Sequence, residues 1–353
     1  MIFPAEYFLH SNRPFFPAGL VSPQALENIW PIANRLPPVS TIALECRLLA
    51  HTNAVDFIPQ FIAKGGSGER LADPAGQPNH PLWQRIQAFC GQWRQPNSLL
   101  YDGVREIWLE FDVSGPPPEP PLPSLFIGFH SNQQRVAHRH FSEITMRLVQ
   151  PELLTPALRD LLTRCFAGLP AGATLFSVGF MLARHYDKAR ICVGHLSKSE
   201  AIPYLRRVGW PGDLAAVGRL LADVLPLVDE FGLALDIGEE MAPRLGLECY
   251  LFQPNPKKEG RWTQLLAYLV AAGQCSPEKQ QALLAWPGYQ LHGLSPEEAA
   301  TIRQTANDLP LRSHNIFSRK ISHLKLVCAP AGWQESKAYL ELSSSWMTIG
   351  NVP

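Results

Sequence analysis

The chain of 353 residues contains no GxGxxG, no P-loop, no GxSxG, no DDxxD-like acidic motif and no CxxC pair. Sequence support is therefore missing for a dinucleotide site, a nucleotide-triphosphate site, a serine hydrolase and a thiol metal centre. Net charge is missing too: 31 Lys and Arg balance 31 Asp and Glu. Nothing global attracts nucleic acid or an anionic membrane, so any anion must be recognised locally. No apolar run is long enough to span a bilayer, and MIFPAEYFLHSNRPFFPAG shows no basic region followed by an apolar stretch. A cytoplasmic protein, bound to neither membrane nor nucleic acid, is expected. The seven cysteines are scattered, several at apolar strand positions, and read as reduced core residues.

What the chain has in quantity is period-two alternation. Ile107, Leu109, Phe111 and Val113 alternate with Trp108, Glu110 and Asp112. The same pattern recurs in hairpin-like pairs near 42–62, 107–129, 174–195, 233–252 and 321–342. In the third pair Phe176, Val178, Phe180, Ile191 and Val193 oppose Ser177, Gly179, Met181 and Arg190. Alternation of this kind predicts strands with one buried and one polar face.

Segments with helical spacing separate the pairs, at 80–93, 151–166, 213–231 and 261–286. Asp213 and Ser276 read as N-caps, the latter followed by Pro277 at a first helical position. If the apolar strand faces pack on the helices, the polar faces point to the other side of one sheet. Ten such strands predict an α+β fold: an antiparallel barrel of five αββα repeats in one domain, 1–353, with helices outside and a solvated lumen. Leu109, Val178, Leu235 and Leu326 then face the helices.

Other features carry less. GGSG at 65–68 predicts a surface loop, PPPEPPLP at 116–123 a polyproline-II connection, and 292–318 a capping helix. His138, Arg139 and His140 with nearby His130 match no standard metal spacing and read as a loop cluster; Asp236, Glu239 and Glu240 read as turn carboxylates.

On the polar phase, Arg47, Arg190, Lys325 and Lys337 fall on different strands, with Tyr250 and Tyr339 beside them. Converging cations and phenols suit a diphosphate or another multiply charged anion. Glu45 and Glu110 share that phase as candidate general bases, and Trp108 and Phe252 offer π-faces to a cation. Taken singly, each such residue is most often solvated or paired across strands at small energetic value. Inside a covered lumen, however, charges are costly unless paired or used.

The repeat architecture resembles that of the ABBA, or PT-barrel, aromatic prenyltransferases. ISHLKLVCAPAGWQESKAYLEL is similar to that family's last hairpin, with Lys325, Lys337 and Tyr339 at the matching positions, while ARICV (Arg190) and GLECYLF (Tyr250) resemble its internal strands. The resemblance implies transfer of an allylic prenyl group from a prenyl diphosphate to an aromatic small molecule or peptide, by a monomer requiring no cofactor and with magnesium optional. Asp236 and Glu248 depart from the pattern where cations or apolar groups are expected, which favours a positively charged or peptide acceptor. The alternative is a non-catalytic barrel that binds a small amphipathic ligand or peptide.

Overall fold

A computed structural model describes residues 2–62, 67–71, 79–130, 135–184, 186–292 and 313–348. Its centre is one antiparallel sheet: β1 (Thr41–Arg47), β2 (Val55–Ile62), β3 (Val104–Val113), β4 (Ser124–Phe129), β5 (Thr174–Phe180), β6 (Ala189–Gly194), β7 (Glu230–Ile237), β8 (Met241–Tyr250), β9 (Gly288–His292), β10 (Ser313–Ala329) and β11 (Gly332–Thr348). The order β11-β1-β2-β3-β4-β5-β6-β7-β8-β10, with β10 also paired to β11, closes ten strands into a barrel. Closure satisfies every strand edge within the ring. The short β9 adds an eleventh strand, paired to the part of β10 that runs past the ring.

The period-two reading holds for the outward face. Leu109, Val178, Leu235 and Leu326 are completely buried in the layer between strands and helices. Among the helices there are α1 (Ala5–Asn12), α2 (Pro23–Ala33), α3 (Ser67–Leu71), α4 (Pro81–Trp93), α5 (Leu99–Gly103), α6 (Arg135–Val149), α7 (Pro156–Ala167), α8 (Ala201–Val208), α9 (Leu214–Val224), α10 (Arg261–Ala271) and α11 (Pro277–Ala285). The expected caps form: Asp213 accepts from the Ala215 and Ala216 amides and Ser276 from the Lys279 amide. Indole donors also fix helices to the barrel. Trp83 of α4 donates to the Pro121 carbonyl and Trp93 to that of Val104, both at 2.9 Å. From α11, the buried Lys279 ammonium donates to the carbonyls of Arg47, Leu49 and Thr52, which satisfies the bend between β1 and β2 without a carboxylate.

Several local readings need correction. Ser67 and Gly68 belong to α3, where the Ser67 hydroxyl accepts from the Ile62 amide, so this half of the GGSG stretch is packed and not a free loop. His138 and His140 lie on α6; His138 bonds the His130 carbonyl and stacks on Phe129. Residues 313–318 are strand because β10 continues past the ring to pair with β9 and β11. The rest of the expected capping helix, 293–312, lies outside the described residues.

Candidate functional site

The lumen holds a cavity of about 280 Å³. Trp108 of β3, Phe126 of β4, Phe176 of β5, Tyr250 of β8, His323 of β10 and Tyr339 of β11 line it with six rings, and Arg190, Lys325, Glu110 and Glu248 stand among them. Glu45, Arg47 and Lys337 are not in this wall. They lie behind it toward the hairpin turns, where Arg47 faces Lys337 across the β1–β11 pair.

That deeper layer is a network of ion pairs. Glu45 accepts from Lys337 at 2.8 Å, lies 3.0 Å from Arg47 and accepts from the Tyr339 hydroxyl. Arg47 also reaches Asp56 at 2.6 Å. In the wall, Lys325 donates to Glu248 at 3.0 Å, and Arg190 binds Asp236 through two donors at 2.7 and 3.0 Å. Asp236 is therefore a buried partner on β7, 2% exposed, and not a turn carboxylate. Arg184, from the β5–β6 connection, reaches over the turn end to Glu110 at 2.5 Å and to Asp112. Each of the four cations expected from the sequence thus has a carboxylate partner.

The pairs set protonation. Burial would raise the Glu45 carboxyl, but Lys337 and Arg47 outweigh it and hold it well below the usual carboxylate range. Asp56, buried and next to that anion, is pushed the other way, above the usual carboxylate range. Burial likewise opposes ionisation of Glu248, yet Lys325 and the neighbouring His323 bring it down to about 2. His323 lies between Tyr339 and Tyr250, with ring centroids 4.0 and 4.9 Å away. Desolvation lowers its imidazole to about 4 despite Glu248, so it is neutral near pH 7.

This depression has a measurable consequence. The unfolded imidazole, near 6.5, takes up a proton before the folded one, so stability is complete above that pH and is lost as pH falls from 6.5 toward 4. Between pH 7 and pH 5 the unfolding free energy from urea melts is expected to drop by about 1–2 kcal/mol through this residue. Most of that drop should vanish in His323→Gln; an undiminished drop would assign it to other groups.

No protein-family model matches the sequence, and no curated protein matches it. Among solved structures, the chain is similar to AnaPT from Neosartorya fischeri, an ABBA aromatic prenyltransferase, with a TM-score of 0.52 at 13% identity. The match covers 98% of this chain and 92% of that one. The chain has the PT-barrel fold.

Within this PT barrel, six of the ten residues singled out from the sequence line the chamber: Glu110, Arg190, Lys325, Tyr250, Tyr339 and Trp108. Phe252 does not. It follows the end of β8, is 70% exposed and lies outside the lumen, because alternation in the sequence continues one step past the strand. Phe176, assigned from its phase to the helix side, lines the chamber instead. A register irregularity between Leu175 and Ser177 turns it inward. Similar irregularities flank Arg105 and Ser322, which also line the cavity. Extra residues of this kind re-aim side chains and break the period of two. His323 follows the polar phase of Lys325 and was within reach of the same count; Arg184 sits in a connection and has no periodic signal.

Asp56, Glu110 and Asp112 bring carboxylate oxygens within 4.8 Å of one another, a spacing that suits a divalent cation. The Arg184 guanidinium binds two of them and lies 3.8 Å from Asp56, already supplying their counter-charge. A cation at this position would have to displace Arg184.

Proposed function

We propose that the barrel is a prenyltransferase that moves an allylic group from a prenyl diphosphate to an aromatic or peptide acceptor inside the chamber. The observation that carries this reading is the wall itself: six rings surround a space whose sides present Arg190 and Lys325 with hydrogen-bond capacity left over. An ammonium has three donors and Lys325 gives one to Glu248; Arg190 gives Nε and Nη2 to Asp236, leaving Nη1. Both can take a diphosphate oxygen while keeping their carboxylates, and both stabilise the charge that develops on the leaving group. The ring faces shield an allylic cation. Arg47 and Lys337 add positive potential from behind, and Tyr339 and Tyr250, held as phenols by burial and by their glutamates, complete the wall.

The reading is tested by incubating the purified protein with dimethylallyl, geranyl and farnesyl diphosphates and a panel of indoles, phenols and aromatic peptides. Diphosphate release with alkylated product supports it, and no release from any donor contradicts it. Because Arg184 occupies the acidic cluster, EDTA is expected to leave the transfer rate within about twofold, and a loss of activity restored by magnesium would show that the arginine yields to a metal. A second reading is favoured by one observation, the carboxylate partner of every expected lumen cation. A non-catalytic chamber for a small amphipathic ligand or peptide would bind such molecules and release no diphosphate.

A further inference from the structure

Beside the chamber lies a second cavity of about 160 Å³ that shares Arg105, Phe176 and Tyr250 with it as common walls. Its far side carries His195, just after β6, and Glu230, the first residue of β7, with His195 Nδ1 3.0 Å from Glu230 Oε1. His195 has φ +56°, the only positive value at a non-glycine among the described residues. A histidine there is uncommon, and strained backbone of this kind concentrates where a side chain must be aimed. Two of the positions that line this cavity are glycine, Gly194 and Gly232. A Cβ at Gly194 would come within 3.0 Å of the Phe176 ring, and one at Gly232 within 3.4 Å of the Val193 carbonyl.

The chamber's own carboxylates make poor proton acceptors. Of those that line it, Glu248 is held as an anion by Lys325, Glu110 is bound to Arg184, Glu106 to Arg105 and the Gln60 amide, and Glu341 to Lys320; Glu45, behind the wall, is bound to Lys337. An imidazole whose Nδ1–H donates to a carboxylate keeps a lone pair on Nε2, the arrangement of an oriented base.

We propose that the side cavity is the acceptor's subsite and that the His195–Glu230 pair takes up the proton released on alkylation. This rests on the prenyltransferase reading. The acceptor's nucleophilic atom attacks C1 of the allylic group as the C1–O bond breaks. The bonding pair leaves with the diphosphate, and the proton displaced from the acceptor passes to His195 Nε2, giving an imidazolium beside Glu230. Arg105 from β3, Glu230 from β7 and Tyr250 from β8 are the charged or titratable groups around that imidazole among the described lining residues.

The test measures alkylated product and donor hydrolysis separately, across pH, in the wild type, His195→Asn and Glu230→Gln. Asparagine tolerates the left-handed backbone, so His195→Asn keeps the turn. Transfer is expected to fall about 10²-fold or more in His195→Asn, the usual worth of a general base, with donor hydrolysis within about threefold. The acid limb of the transfer profile should disappear in that variant, and Glu230→Gln, which loses the carboxylate that orients the imidazole, should also lower transfer. Transfer at the wild-type rate with an unchanged acid limb in His195→Asn would overturn the proposal and leave the prenyltransferase reading standing. A wild type that releases no diphosphate from any donor overturns both.

Discussion

Replacing Glu45 by Ala is expected to destabilise the protein by about 3 kcal/mol. The carboxylate is buried and joins Lys337, Arg47 and the Tyr339 hydroxyl, drawn from β1 and β11 where the ring closes. Its removal leaves buried cations with fewer partners, and the penalty of an incompletely paired buried charge exceeds any Coulomb energy recovered. Lys337 keeps Glu335 at 3.4 Å and Arg47 keeps Asp56, which places the loss at the lower end of the range for breaking a buried pair. Arg35→Ala, which removes the exposed pair with Glu119, should cost less than about 0.5 kcal/mol. Urea unfolding at pH 7 measures both. Equal small effects would mean that the inner network adds nothing to stability.

Lys325→Ala is expected to weaken binding of inorganic pyrophosphate about 100-fold. One charge-assisted hydrogen bond accounts for roughly 1.5–3 kcal/mol. Without the lysine, burial pushes the Glu248 carboxyl up from about 2, so the ligand meets an unpaired acid where the cation stood. Lys337→Ala should weaken binding by about threefold or less, because Lys337 stands behind Glu45 and outside the chamber wall. The pair Lys325→Met with Glu248→Leu separates folding from binding: replacing both partners by apolar groups is often neutral for stability, yet it removes the anion site. Isothermal titration and urea melts on the three variants read the two effects independently, and tight pyrophosphate binding by the double variant would contradict the assignment.

How far the sequence reveals this structure depends on where the backbone keeps its period. Leu109, Val178, Leu235 and Leu326 obey a count of two, and so do Lys325, Tyr339, Arg190 and Glu110; on regular strands, hydrophobic phase alone sorts outside from lumen. The count fails at Arg105, Phe176 and Ser322, where one extra residue in a strand shifts the phase, and at Phe252, where the strand has ended. Pairing was harder to see than placement. That Arg190 and Asp236 lie opposite each other is a property of the β6–β7 register, which neither strand encodes by itself. Arg184 was silent because a connection has no period, and the short β9 because its partner is the far end of β10.

The measurement that bears most directly on the chamber as a prenyl-diphosphate site is a crystal structure with an unreactive thiolodiphosphate analogue of dimethylallyl diphosphate. The account predicts the diphosphate against Lys325 Nζ and Arg190 Nη1, with the allylic chain between the rings of Trp108, Tyr250 and Tyr339. An analogue bound outside the lumen, or Lys325 and Arg190 still engaged by Glu248 and Asp236 alone at saturating analogue, would contradict it.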